Sequence, residues 1–387
     1  MATVPVSKIA VLPARYKYNS KQDKAAERKL VRRLQSHDKF TEVAKLTSPR
    51  EMFLGSDARI NGKQLTTTAL SQLCSRLAPG MGQAIRSMTG VQLSSSDDQV
   101  AFDDDLAIGL LNSMFKLRFD RLEGYRMIID HKRKLVEGIV GRRYEFYSNL
   151  SLYNRSKAFI QANPDYHVQF CEAALAGRRM MLRFRSTNPL FSIPPPDGRE
   201  VQEPFFGGFH FANSEVGECS IRAASLLIRQ WCDNKAISPF YEDGKLIHVK
   251  GVKFEKKLSE LLTRTRVKAD QAGKFRKNLL AITSIPLGLG GTAGSHKTKR
   301  SKLESKLTRK LNKGFARAVV DRLLMSGSYR QDKLTSASDP MKVYAKRTVY
   351  DLFNAITYEA KSLSVGYRER AEQLAYQLVS GKFEIKL

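Results

Sequence analysis

Four patterns in this 387-residue chain could do chemistry, and each has its own spacing requirement. The first is glycine-rich: residues 286–300 read PLGLGGTAGSHKTKR. A loop that wraps a nucleotide phosphate needs a glycine, four residues, then Gly-Lys-Ser/Thr, because several backbone N–H groups must converge on one phosphate. Gly291, Lys297 and Thr298 fit, but His296 replaces the second glycine and its side chain opposes the wrap. The stretch reads as a flexible basic loop, idle or gripping nucleic acid, and not as a nucleotidase. The second pattern is acidic. Asp97, Asp98, Asp103, Asp104 and Asp105 precede the apolar run LAIGLLNSMFKL. Carboxylates in a first helical turn complement the helix dipole. A divalent metal would use the same groups, but needs a second acidic cluster on a neighbouring strand, and none is predicted. The third pattern is the histidines. His37, His131, His167, His210, His248 and His296 are scattered without metal-ligand spacing, and His210 reads as structural. No G-x-S-x-G nucleophile elbow occurs. The expectation is a non-enzymatic protein without cofactor or metal.

The fourth pattern is positive charge interleaved with aromatics: Arg142-Arg143-Tyr144, Arg178-Arg179 and Arg183-Phe184-Arg185 on predicted strands. Such a face can follow a nucleic-acid backbone by charge and stack unpaired bases. The alternative is that these arginines are solvated while the aromatics are core. Further cations cluster at Lys274, Arg276 and Lys277, and at Lys297, Lys299, Arg300, Lys302, Lys306, Arg309, Lys310 and Lys313. All of these are candidate nucleic-acid contacts. No helix-turn-helix or C2H2 finger pattern is present.

The charge distribution sharpens this. Of a formal +28, residues 1–40 carry +7 and residues 253–317 carry +14, whereas residues 41–252 carry only +4. Such an excess points to a polyanion. At 42% apolar residues a sizeable core is expected and global disorder is not. Cys74, Cys171, Cys219 and Cys232 lack Cys-x-x-Cys spacing and sit in apolar contexts, which predicts buried free thiols in a reducing compartment. No signal-peptide apolar region and no membrane-spanning run is found.

The elements that must position these groups read as follows. Residues 21–35 form a basic helix and 66–77 a helix capped by Thr66, Thr67 or Thr68. Residues 125–133 and 135–147 are strands, and 149–163 is a helix stopped by Asn163-Pro164. Residues 168–185 give two strands around Ala176-Gly177. In the second, Met180, Leu182 and Phe184 alternate with Arg179, Arg183 and Arg185, which predicts a half-buried antiparallel strand with a basic outer face. Residues 205–237 are the central strand–turn–strand. Phe205, Phe209 and Phe211 lie on one face, Phe206 and His210 on the other, and the turn falls at Asn213 to Gly217. Residues 244–249 add a short strand. Residues 254–282 are one long basic helix or a pair. Residues 301–325 are helical with Leu303, Leu307, Leu311, Phe315 and Val319 at i+4. A helix capped by Ser338-Asp339-Pro340 runs to 362, and a last one covers 367–378.

The central stretch resembles phage- and plasmid-encoded proteins catalogued as domain of unknown function nine-three-two. The resemblance rests on Asn213-Ser214-Glu215-Val216-Gly217, an Arg-bearing apolar run from Arg222 to Arg229, and Cys232-Asp233-Asn234. Upstream, Gly138-Ile139-Val140-Gly141-Arg142-Arg143-Tyr144 is similar to a second family strand, with Gly141 at the usual serine. It spans residues 50–250. It implies a mobile-element origin and the cytoplasm of a bacterial host, and it assigns no activity.

The expected architecture is α+β: a basic arm (1–40), a mixed, mainly antiparallel sheet domain (41–252) and a basic helical region (253–387). The expected function is binding of single-stranded DNA or RNA, aiding recombination or annealing as a homo-oligomer, with no membrane partner. The alternatives are a structural or assembly protein of a phage particle, and a metal-dependent nucleic-acid enzyme using the aspartates.

Overall fold

The structure, a computed structural model, describes residues 20–46, 59–89, 105–194, 203–231, 234–240, 245–250, 254–264, 269–289, 293–325 and 347–385. In chain order its elements are α1 (Ser20–Phe40), β1 (Thr41–Lys45), β2 (Arg59–Ile60), β3 (Lys63–Leu65), α2 (Thr67–Leu77), α3 (Met81–Thr89), α4 (Asp105–Leu117), β4 (Arg126–Asp130), β5 (Leu135–Val140) and α5 (Asn149–Ala162). There follow β6 (Val168–Ala176), β7 (Arg179–Ile193), β8 (Glu203–Ser214), β9 (Ile221–Trp231), β10 (Asn234–Phe240), β11 (Lys245–Leu246), α6 (Phe254–Arg264), α7 (Ala269–Ser284), α8 (Ala293–Thr308), α9 (Lys313–Met325), α10 (Val349–Glu359) and α11 (Val365–Val379).

The strands make two sheets. The first is mixed, in the order β1-β4-β5-β3-β2, with β3 and β5 parallel. The second is antiparallel, in the order β10-β9-β8-β7-β6, with β11 also paired to β9. The fold is α+β, as the strand and helix periodicities predict. Gly177, at φ +55, allows the tight link between β6 and β7, in which Ala176 faces Arg179 and only Gly177 and Arg178 lie between.

β8 is the spine of the second sheet. It pairs with β7 on one side and β9 on the other, and all 12 of its residues are buried. Gly208 is required there: a Cβ would sit 2.0 Å from the Phe184 carbonyl oxygen. Phe209 and Phe211 join Phe184, Met180 and Leu182 in a cluster closed by Leu30 and Leu34 of α1 and Leu152 of α5. The first sheet is covered separately. Leu70, Leu73 and Leu77 of α2, with Leu111 and Phe115 of α4, pack on Met127, Ile129, Val136 and Ile139.

The C-terminal helices depart from the expectation of basic attachments. Phe275 and Leu279 of α7, Leu303 and Leu307 of α8, Phe315 and Val319 of α9, and Phe353 and Ile356 of α10 share one apolar cluster with Ile193, Phe205 and Leu227 of the sheet. Local boundaries differ too. The predicted glycine-rich loop becomes helical at Ala293, where Lys, Glu and Leu outweigh the single Gly294. The predicted continuous helix over 301–325 breaks near Asn312, whose side-chain oxygen accepts the Phe315 N–H at 2.7 Å and starts α9. The helix predicted to start after Ser338-Asp339-Pro340, residues outside those described, starts instead at Val349. There Thr348 and Asp351 form a capping box. The strand expected over 135–147 ends at Val140, which takes Arg142 and Arg143 off it, whereas Thr66 caps α2 as expected and accepts the Ala69 N–H at 3.2 Å.

Candidate nucleic-acid interface and buried charge layer

α8 is amphipathic in an unusual sense: its apolar side is narrow and its remaining surface is cationic. Leu303 and Leu307 are fully buried and dock the helix on α9. The exposed side carries Lys297, Thr298, Ser301, Lys302, Ser305, Lys306 and Arg309, which line a shallow groove of about 560 Å³. These positions recur at steps of three to five residues, so they fall along one stripe. Four cations and three hydroxyl groups line the groove and no carboxylate does. The arrangement can offer charge and hydrogen-bond donors to a run of phosphates.

The other predicted basic residues do not converge on that groove. Lys299 and Arg300 lie on α8 outside it, and Arg300 pairs with Asp321 at 2.5 Å. Lys310 is exposed, with its ammonium 5.9 Å from the Phe383 ring centroid, and Lys313 is exposed at the start of α9. Lys274, Arg276 and Lys277 are exposed on α7, where the Arg276 Nε donates to the Ser192 carbonyl at 3.4 Å. Arg142 and Arg143 are exposed on the turn after β5. Tyr144, expected beside them as a stacking platform, is instead buried. Its hydroxyl donates to the carbonyls of Ser214 and Glu215 at 3.0 Å, and its ring stacks on His248.

The strand arginines require the largest correction. The predicted basic outer face of β7 is not a free surface; α11 packs on it at Arg179 and Arg183. Arg183 is fully buried, donating to Glu172 at 3.1 Å, to Glu372, and to His210 Nδ1 at 3.2 Å. Arg179 pairs with Glu369. Arg185 is buried with its guanidinium 4.5 Å from the Phe206 ring centroid. Arg368 completes the layer, holding Glu172 at 2.7 Å and Glu372 at 3.0 Å. Desolvated charges persist only when paired, and here α11 supplies Glu369 and Glu372 while β6 supplies Glu172. The alternation of β7 is legible in the sequence, but two of the three counter-charges, Glu369 and Glu372, stand some 190 residues later in the chain.

His210 has the structural role expected. Arginine can only donate, so Nδ1 of His210 is the acceptor from Arg183 and Nε2 carries the proton toward Glu369 Oε1, 3.3 Å away. The ring is therefore neutral, and burial pushes its pKa down. Burial pushes Glu369 up, but its bond to His210 and the charge of Arg179 outweigh that and hold it at about 2.

Arg178 sits at the tip of the β6–β7 turn and enters the first sheet. It is buried, and donates to Glu137, to Asp130 at 3.3 Å, to Glu215 at 3.0 Å and to the Thr41 hydroxyl at 2.7 Å. One guanidinium thus bridges three carboxylates, Asp130 and Glu137 of the first sheet and Glu215 directly after β8. Asn213-Ser214-Glu215-Val216-Gly217, which carried the family resemblance, forms the other half of this junction. The Asn213 amide donates to the Tyr147 carbonyl at 2.9 Å, and Glu215 accepts the first N–H of α5, from Asn149, at 2.6 Å. Val216 packs with Ile128, Val140 and Tyr144, and Gln72 donates to its carbonyl at 2.7 Å. Gly217 takes φ +75. Sequence reading found the motif and its turn but not its partner, since nothing near Arg178 in the chain marks the carboxylates of β4 and β5.

Among the aspartates of the metal reading, Asp97, Asp98, Asp103 and Asp104 lie outside the described residues, and Asp105 opens α4. Among the described residues no group of three or more His, Cys, Asp or Glu is placed to hold a metal ion. Cys74, Cys171 and Cys219 are buried free thiols, and Cys232 is outside the described residues. Burial pushes the Cys74 thiol up to about 12 and Cys219 to about 11, which keeps both protonated at neutral pH. No described helix is long and apolar enough to cross a membrane. Comparison with protein-family models, curated proteins and solved structures finds no match.

Proposed function

We propose that this protein binds nucleic acid through the phosphate backbone, with the exposed stripe of α8 as its seat. The observation that carries this reading is the groove bearing Lys297, Lys302, Lys306 and Arg309 with no acidic group among its lining residues. The excess of charge over residues 253–317 supports it. The burial of Tyr144, Arg183 and Arg185 removes the stacking platform from which preference for unpaired bases was argued. The proposed contact is therefore electrostatic and indifferent to base identity. In the mobile-element setting that the resemblance implies, such a protein would assist annealing or recombination without performing catalysis.

The test is fluorescence anisotropy with labelled single-stranded and duplex oligonucleotides across a salt series. Four contacted phosphates give a slope of log affinity against log salt of about −3. The triple variant Lys297→Ala, Lys302→Ala, Arg309→Ala should weaken binding to every sequence alike and flatten that slope by about two to three. Absence of binding at about 50 mM salt, or an unaltered slope in the triple variant, defeats the proposal.

A further inference from the structure

A second cationic site, sharing no residue with the α8 groove, lies where Arg179 of β7 and Arg222 of β9 meet α11. Arg179, Glu218, Cys219, Arg222, Gly366, Glu369, Arg370 and Gln373 enclose a polar cavity of about 190 Å³. Six or so waters fill that volume, and it falls short of the roughly 300 Å³ at which pockets take drug-sized ligands. Its charges do not cancel. Three guanidinium groups meet two carboxylates, which leaves one positive charge in excess: Glu369 is shared by Arg179, His210 and, at 3.7 Å, Arg222, while Glu218 also accepts from the Thr68 hydroxyl at 3.1 Å. The Cys219 thiol in the wall adds no negative charge, because burial holds it protonated.

Arg179 is the anchored donor, and Arg222 and Arg370 reach in from the surface. Nε of Arg179 is buried without a hydrogen-bond partner. Arg222 reaches Glu369 only at 3.7 Å, and Arg370 leans on the Tyr367 ring, 5.6 Å from its centroid. Gly366 is the reason a guanidinium can lie against the first turn of α11: a Cβ there would come within 2.6 Å of Arg179 Nη1. That turn has no intrahelical partners for its N–H groups, and Ser364 provides no side-chain cap. Convergent guanidinium forks beside such a turn suit a small tetrahedral oxyanion.

We propose that the Arg179–Arg222–Arg370 cavity binds a phosphate monoester or orthophosphate. The two sources share one chemistry: a free anion, or the phosphorylated end of a nucleic-acid strand.

The experiment is calorimetric titration of the full-length chain, free of nucleic acid, with inorganic phosphate in a chloride buffer. Saturable one-to-one binding is expected. Arg222→Gln and, separately, Arg370→Gln should each weaken it at least about tenfold, the loss of one charge-assisted contact, with thermal midpoints unchanged in phosphate-free buffer. The α8 triple variant should bind phosphate as the parent does, which separates this site from the backbone groove. Competition by 5′-phosphorylated over 5′-hydroxyl oligonucleotides assigns the strand end, and equal competition assigns the free anion. No saturable heat, undiminished affinity in both arginine variants, or loss of phosphate binding in the α8 variant overturns the proposal.

Discussion

Arg183 brings its guanidinium N–H donors into a fully buried site, where Glu172, Glu372 and His210 receive them. Removing the guanidinium alone leaves Glu172 and Glu372 to share Arg368 and takes the donor from the buried Nδ1 of His210, which costs more than the pair itself contributes. Arg183→Met should therefore destabilise the chain by about 3–5 kcal/mol in urea unfolding, with no change in the salt slope of nucleic-acid binding by the folded fraction. A phosphate-contacting arginine would show the reverse: little loss of stability and a shallower slope. The distinction could not be read from 179–185, because period-two alternation states that these side chains share a face and says nothing about what covers it. The sequence signal that could have found the cover is Glu369 and Glu372, at i and i+3 on a helical pattern that also carries Arg368.

At the scale of elements, apolar periodicity was the dependable guide and cap chemistry the neglected one. β6 and α5 fall where alternation and the Asn163-Pro164 stop place them, and β7 starts as expected but runs past 185 to Ile193. α8 was half legible: Leu303, Leu307 and Leu311 mark its docking side, but its first turns were read as loop on account of the glycines at 288–294. Asp339-Pro340, outside the described residues, resembles a helix start in the sequence, but α10 itself starts at the Thr348-x-x-Asp351 box. In that box the Thr348 hydroxyl accepts the Asp351 N–H at 3.3 Å while Asp351 accepts the Thr348 N–H at 2.8 Å. Thr348→Ala should cost about 1 kcal/mol, seen as a shift in urea midpoint without change of slope. An equivalent substitution of exposed Thr298 on α8 should leave stability within about 0.5 kcal/mol of the parent.

At the scale of the whole molecule, the two sheets meet through Arg178 and its three carboxylates, so the junction couples fold stability to pH. Burial pushes Glu137 up from 4.5 to about 7, against the opposing charge of Arg178. A raised carboxyl pKa favours the protonated folded form. Its contribution is complete below about pH 4.5 and is lost as pH rises through about 7. His37 acts in the opposite sense. Burial and the charge of Arg178 hold it at about 4, so its contribution is present above 6.5 and is lost as pH falls through about 4. Comparing the parent with Glu137→Gln isolates the first effect: the stability difference should move by on the order of 3 kcal/mol between pH 4.5 and 8, in favour of the parent at the acid end. A difference that stays flat across that range places the proton elsewhere.

The guanidinium groups of β7 and the carboxylates of α11 that neutralise them are separated by 189 and 190 residues. A ribosome therefore delivers the β7 arginines long before Glu369 and Glu372 exist, with Glu172 of β6 the one carboxylate of the layer already made. Until α11 arrives, the remaining positive charge on that face stays hydrated. Synthesis of this chain thus carries a built-in waiting period, whose length is set by how far apart the two halves of one electrostatic layer were written.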